Sequence, residues 1–157
     1  MKSFDVEDIK NFMNQLLVHE KFDSFYLYEA RVKGALDYFI GGKLNLDYYD
    51  EEEKEELDNL EYISWGRIKH FIYDLMKGKK LPINFKIILM FNRDNIERLI
   101  EMNNFPVKSE DVGALFYNIH FEAGQLNVTT GTSLKVFTLD KRLEQLWDET
   151  VEKYYLI

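Results

Sequence analysis

The chain has 157 residues, of which 46% are hydrophobic and 15% aromatic, enough for one packed core and too many for an intrinsically disordered polypeptide. It contains no cysteine, which excludes disulfide scaffolds, thiol nucleophiles and thiolate zinc sites. A formal charge of −8 has the wrong sign for a general nucleic-acid binder.

Residues 1–8 lack the apolar run of a secretory signal, and the best apolar window, residues 87–91, falls far short of the ~20 residues that cross a bilayer. The expectation is a cytoplasmic protein with no membrane association, built as a single domain over residues 1–157. Charge is spread unevenly. Residues 50–58 hold seven acids and one base, Lys54, a net of −6 out of the −8. Such a run, inside an insertion around 47–61, reads as a solvated loop or the polar start of a helix. Its basic counterpart, Lys77, Lys79 and Lys80, reads as a helix C-terminus with Gly78 as a left-handed cap.

Taken in chain order, residues 2–4 form a short strand, and Asp5 caps a helix on which Val6, Ile9, Phe12, Met13, Leu16 and Leu17 recur at helical spacing. Residues 25–32 and 36–40 are strands of a hairpin around Gly34. A helix spans 65–77, and residues 83–91 form a strand. Asn92 or Asp94 caps a helix carrying Ile96, Leu99 and Ile100, closed by Pro106. Residues 115–122 alternate, with Leu115, Tyr117, Ile119 and Phe121 against Phe116, Asn118, His120 and Glu122. Ala123, Gly124 and Gln125 make a tight turn. Two short strands, 126–130 and 134–139, flank Gly131, and Asp140 caps a last helix over about 140–154. The second half reads β-α-β-β-β, and the first half fits the same string with a poorly defined third strand. The predicted fold class is α+β, with two helices on one face of an antiparallel sheet.

The run Asn95-Ile96-Glu97-Arg98-Leu99-Ile100-Glu101 continues through Phe105, Asp111-Val112, Phe121-Glu122 and Val128-Thr129-Thr130-Gly131 to Leu134. This third of the chain resembles the middle domain of bacterial DNA sliding clamps, whose domains are two β-α-β-β-β units. The chain as a whole is similar to a small uncharacterised bacterial family with no assigned activity. The clamp resemblance implies two surfaces. Helices lining a DNA-sized hole would here be residues 5–17 and 92–103, both net acidic, so phosphates are repelled and nucleic acid is not the expected partner. A groove for partner peptides would be formed by Phe116, Thr130, Gly131, Thr132 and Leu134. The turn there is one residue shorter than in clamps, lacks the aspartate, and carries Thr132-Ser133 in place of a His-Arg pair.

Catalytic signatures do not emerge. Residues 131–135 hold the letters of a phosphate loop in the wrong order. His19-Glu20 followed by Asp23 is an echo of His-Glu-x-x-His without its second histidine. His120 and Glu122 share a strand face and would need His19 or His70 to form a metal site. Tyr48, Tyr49, Tyr154 and Tyr155 suit base stacking, partner anchoring or the rim of the core. The expectation is a non-catalytic protein- or peptide-interaction module with no cofactor and no metal, homo-oligomerisation being left open. The alternatives are an enzyme using scattered residues such as Asp37, His120 and Glu122, and an accessory clamp component of DNA replication or repair.

Overall fold

The computed structural model describes residues 1–58 and 60–156. In chain order it contains β1 (Ser3–Val6), α1 (Ile9–Leu17), β2 (Tyr26–Lys33), β3 (Asp37–Gly41), α2 (Glu51–Glu56), α3 (Trp65–Met76), β4 (Asn84–Met90), α4 (Arg93–Met102), β5 (Val112–Glu122), β6 (Gln125–Leu134) and α5 (Arg142–Tyr154). The strands form one sheet in the order β1-β6-β5-β4-β2-β3, and every neighbouring pair is antiparallel.

Alternation along each strand decides which side meets the helices. On β5, Leu115, Tyr117 and Ile119 are buried while Phe116, Asn118 and His120 are half-exposed. Phe85, Ile87 and Leu89 of β4 and Leu126 and Val128 of β6 share the buried side. They join one cluster with Phe12 and Leu16 of α1, Trp65 and Ile72 of α3, Ile96 and Ile100 of α4, and Trp147 and Val151 of α5. Each such side chain contributes about 1.5–3 kcal/mol by leaving water. The fold is α+β with an antiparallel sheet and helices on one face, as the residue pattern predicts, but four helices rather than two cover that face. The other face stays open. Among the described residues, no helix is long and apolar enough to cross a membrane.

Two indole N–H groups anchor the helical layer, one joining α3 to α1 and the other joining α5 to the sheet. Trp65 Nε1 donates to the Leu16 carbonyl at 2.7 Å, and Trp147 Nε1 donates to the Phe116 carbonyl at 2.9 Å. Both rings are fully buried, where an unpaired donor would cost about 1–3 kcal/mol.

Local chemistry explains where elements start. Asp8, not Asp5, caps α1, its carboxylate accepting the Asn11 N–H at 3.0 Å. Asp5 belongs to β1, where it pairs with Asn127, because Phe4 and Val6 reach the core from an extended backbone. Asn92 caps α4 by accepting the Asn95 N–H at 2.8 Å. In the acidic run, Asp50 and Glu53 form a reciprocal capping box, at 2.8 and 3.1 Å, and α2 buries nothing. Three acids in its first turn complement the helix dipole. α3 ends where Lys77 turns extended, its N–H donating to Tyr73, so Gly78 is not the left-handed cap expected of it.

The expected pair of strands at 126–130 and 134–139 is instead the single strand β6. It passes straight through Gly131, which pairs with Phe116. There is no turn at that glycine, because the long β5 offers a ladder partner on both sides of it. Residues 135–139 leave the sheet. Neither half has the expected third strand among the described residues; α3 and α5 stand in those places. The pairing does not repeat either, since β4 pairs with β5 of its own half whereas β1 pairs with β6.

The β5–β6 hairpin and Gly42 show backbone strain and close approach. The β5–β6 hairpin turns through Ala123 (φ 53°) and Gly124 (φ 76°), the type I′ pattern that favours Asn-Gly. Ala123→Asn is therefore expected to stabilise the protein by about 0.5–1 kcal/mol and raise Tm by about 2 °C, measured by thermal denaturation. Gly42 lies against β2, where an added Cβ would stand 1.8 Å from the Leu27 carbonyl oxygen. Gly42→Ala is expected to cost about 3 kcal/mol, read as a lower urea midpoint; an unchanged midpoint would contradict this contact.

Candidate functional site

The register divides the five residues named for a partner groove between the two faces of the sheet. Phe116 and Gly131 oppose each other on β5 and β6 and face away from the helices. A Cβ on Gly131 would meet Phe116 Cβ at 3.4 Å. Thr130, Thr132 and Leu134 face the helical side. Thr130 is fully buried; its hydroxyl donates to the Asp148 carboxylate of α5 and accepts the Lys2 N–H at 2.9 Å. Leu134 is half-buried against the core.

The backbone around these residues has an unfilled side. β1 pairs with residues 126–129 of β6, and one further bond runs from Thr130 N–H to the Lys2 carbonyl at 2.9 Å. Groups two residues apart on an antiparallel strand point the same way. The Thr132 N–H and C=O therefore point outward, beyond the reach of β1, where no described strand continues. Just past β6, Phe137 and Leu139 are 92% and 82% exposed. Between this segment and the start of α5 runs a groove of about 400 Å³, with Thr132, Leu134, Val136, Phe137, Leu143 and Glu144 along it.

Charge is fixed at the groove's far end. The Asp140 carboxylate accepts the Arg142 backbone N–H at 2.9 Å and its guanidinium at 3.0 and 2.6 Å. That guanidinium also lies 5.5 Å from the Phe105 ring centroid. The hydrogen bonds from Arg142 hold the Asp140 carboxyl down to about 2. Asp140 thus serves the first helical N–H of α5 as the sequence suggests, although the cap residue itself is Lys141. The Met1 ammonium pairs with Glu144 and holds that carboxyl below its ordinary range.

A second concavity, about 550 Å³, lies on the open face. Its apolar part is Tyr28, Ile88 and Phe116; Lys86 supplies a positive charge and His120, opposed to it on β5, an imidazole; Glu29 also lines the cavity, and Asn118, Asn127 and Thr129 supply neutral hydrogen-bonding groups. A β-bulge between Leu27 and Glu29 brings Tyr28 onto this side. The Tyr28 ring meets Phe116 edge-on at 5.6 Å and stacks on Tyr62 at 6.0 Å. Burial, then the neighbouring Glu61, push the Tyr62 hydroxyl pKa up. Glu29 is held by Arg31 Nε at 3.0 Å, and Arg31 lies over Phe39 at 4.9 Å.

The scattered catalytic set does not converge. Asp37, Lys33, Asn84 and Glu122 follow one register line across four strands, which puts Asp37 and Glu122 about 14 Å apart. His120 Nε2 and Glu122 lie 3.5 Å apart, while His70 is on α3 and His19 follows α1. Among the described residues, no three His, Cys, Asp or Glu side chains are placed to hold a metal. The Asp23 of the His-Glu echo is the ion-pair partner of Lys69 at 2.6 Å. Tyr48 and Tyr49 meet edge-on at 5.3 Å on the surface, Tyr154 is exposed, and Tyr155 packs into the core. Tyr28, Ile88, Lys86 and Asn127 carry no local sequence signal that marks them as site residues. Alternation groups Phe116, Asn118 and His120 on one face, but only the strand order β6-β5-β4-β2 reveals their neighbours.

Residues 15–156 match the model of a family of unknown function. No curated protein and no solved structure matches the chain.

Because Asp140 ionises at about 2 in the folded chain and near its ordinary value when unfolded, its contribution to stability is complete above about pH 4 and is lost as pH falls toward 2. Asp140→Asn is expected to lower the urea midpoint at pH 7 and pH 5, with the gap from the parent narrowing below about pH 4. A gap that is the same at pH 3 as at pH 7 would show that the carboxylate charge contributes nothing.

Proposed function

The chain belongs to that family, DUF5721, and we propose that it is a non-catalytic module that binds a peptide by adding it as a strand to the free edge of β6. One observation carries this reading: among the described residues no strand pairs with β6 on the β1 side beyond Thr130, and Thr132 presents its N–H and C=O outward beside a groove containing Leu134, Val136 and Phe137. Strand addition draws affinity from main-chain hydrogen bonds and specificity from pockets that take alternate side chains. The edge supplies the first and the groove the second. Phe137, at 92% exposure, gives an incoming apolar side chain a surface to cover. In the sliding clamps that residues 95–134 resemble, partner peptides lie beside a turn; here the corresponding segment is the continuous strand β6, whose open edge takes the place of that turn. A cysteine-free composition supports a cytoplasmic setting.

Thr132→Pro tests the proposal directly. Proline removes only the outward N–H and leaves the ladder to β5 intact, the position edge strands tolerate. The expected result is a Tm within about 2 °C of the parent and loss of binding to peptides selected from a displayed random library, by about tenfold or more. Leu134→Asp is expected to weaken the same peptides through the groove. Peptides that bind the folded Thr132→Pro protein as tightly as the parent would overturn strand addition.

A further inference from the structure

We propose that the open face of the sheet is a binding site for a nucleoside monophosphate, with the phosphate at Lys86 and His120 and the base against Tyr28 and Phe116. Arg31, Lys86 and His120 follow one another across β2, β4 and β5 in a single register line on that face. Arg31 is engaged with Glu29 and Phe39. Lys86 has no ion-pair partner among the described residues, and His120 has only the exposed Glu122, at 3.5 Å. A phosphate gives Lys86 the counter-charge it lacks and can accept a hydrogen bond from the His120 imidazole.

The aromatic end lies at the right remove. From His120 to Phe116 is four residues of β5, about 13 Å, comparable to an extended mononucleotide from phosphate to base edge. Tyr28 stands edge-on to Phe116 with Tyr62 stacked behind it, so a planar ring added there meets an aromatic corner already held in place. Stacking on such side chains is tolerant of base identity. Between the two ends, Asn118 and its neighbours Asn127 and Thr129 offer donors and acceptors for ribose hydroxyls and base edges. The cavity, about 550 Å³, falls within the range of about 300–1,000 Å³ common to small-molecule sites. Net charge selects against longer ligands. A chain of −8 repels each added phosphate, whereas one phosphate meets the local Lys86–His120 pair. This site is on the opposite face from the β6-edge groove and stands independently of it.

The test is titration of the full chain with AMP, GMP, CMP and UMP, followed by calorimetry and by backbone amide NMR, with adenosine and inorganic phosphate as separate arms. At least one nucleotide is expected to saturate with a Kd below about 1 mM, with amide shifts centred on Phe116, Asn118 and His120. Lys86→Gln and Tyr28→Leu are each expected to weaken it about tenfold at unchanged Tm, while Thr132→Pro leaves it unaltered. The proposal is overturned by no saturation up to about 5 mM, by adenosine or phosphate alone binding as well as the nucleotide, or by shifts located elsewhere. Tighter binding of a single-stranded oligonucleotide or of a glutamate-rich peptide to this face would overturn it equally.

Discussion

Tyr117 is the residue on which the arrangement of the helical layer turns. It sits in the middle of β5, fully buried, with the rings of Phe22 and Phe25 at 5.3 and 5.8 Å. Its hydroxyl donates to the Tyr155 carbonyl just past the end of α5. Burial drives its pKa well up, so the group remains a neutral donor, and a buried hydroxyl left unpaired would cost about 1–3 kcal/mol. That requirement pins the last turn of α5 over the centre of the sheet. With the helix end placed, Trp147 meets the Phe116 carbonyl and Asp148 meets Thr130, and the same helix closes one wall of the groove beside β6.

Covering one face with four helices has a consequence for the other. Side chains on the open face are not selected by a core, and they form a mixed surface in which Tyr28, Phe39, Ile88 and Phe116 alternate with amides, hydroxyls and charges. The face is organised all the same. The bulge in β2 lets Tyr28 and Glu29 serve the same side in succession, and Gly42 allows the following loop to lie directly on β2, its N–H donating to the Tyr28 carbonyl at 2.9 Å. A residue with no side chain thus lets the loop reach the backbone of the strand that carries Tyr28.

How much of this was readable in the residues depended on the range of the determining interaction. The alternation of residues 115–122 states the two faces of β5 residue by residue, because a half-buried strand writes its environment into its own period. The cap at Asn92 and the helix over 65–76 are equally local. Asp5 and Asp8 both satisfy the chemistry of a helix cap, and only the pairing of β1 with β6 decides between them. Gly131 reads as punctuation from composition, yet the ladder offered by β5 overrides that signal. The five groove residues are close in sequence or related by resemblance, but a period of two sends Phe116 and Gly131 to one face and Thr130, Thr132 and Leu134 to the other. Lys86 and Tyr28 join the open-face cavity through a strand order that no local pattern contains.

The pairing of β1 with β6 also has a temporal side. Val6 lies opposite Leu126, so β1 is synthesised about 120 residues before the strand it must meet, on the order of ten seconds of translation. Throughout that interval its backbone donors and acceptors have only water to satisfy them. In the folded chain β6 meets β5 across a two-residue turn but meets β1 across a loop of about 120 residues, so pairing with β1 carries the larger loop-closure cost. Chaperone engagement during synthesis would act on this window, and a competing extended segment meets the same template that β1 occupies.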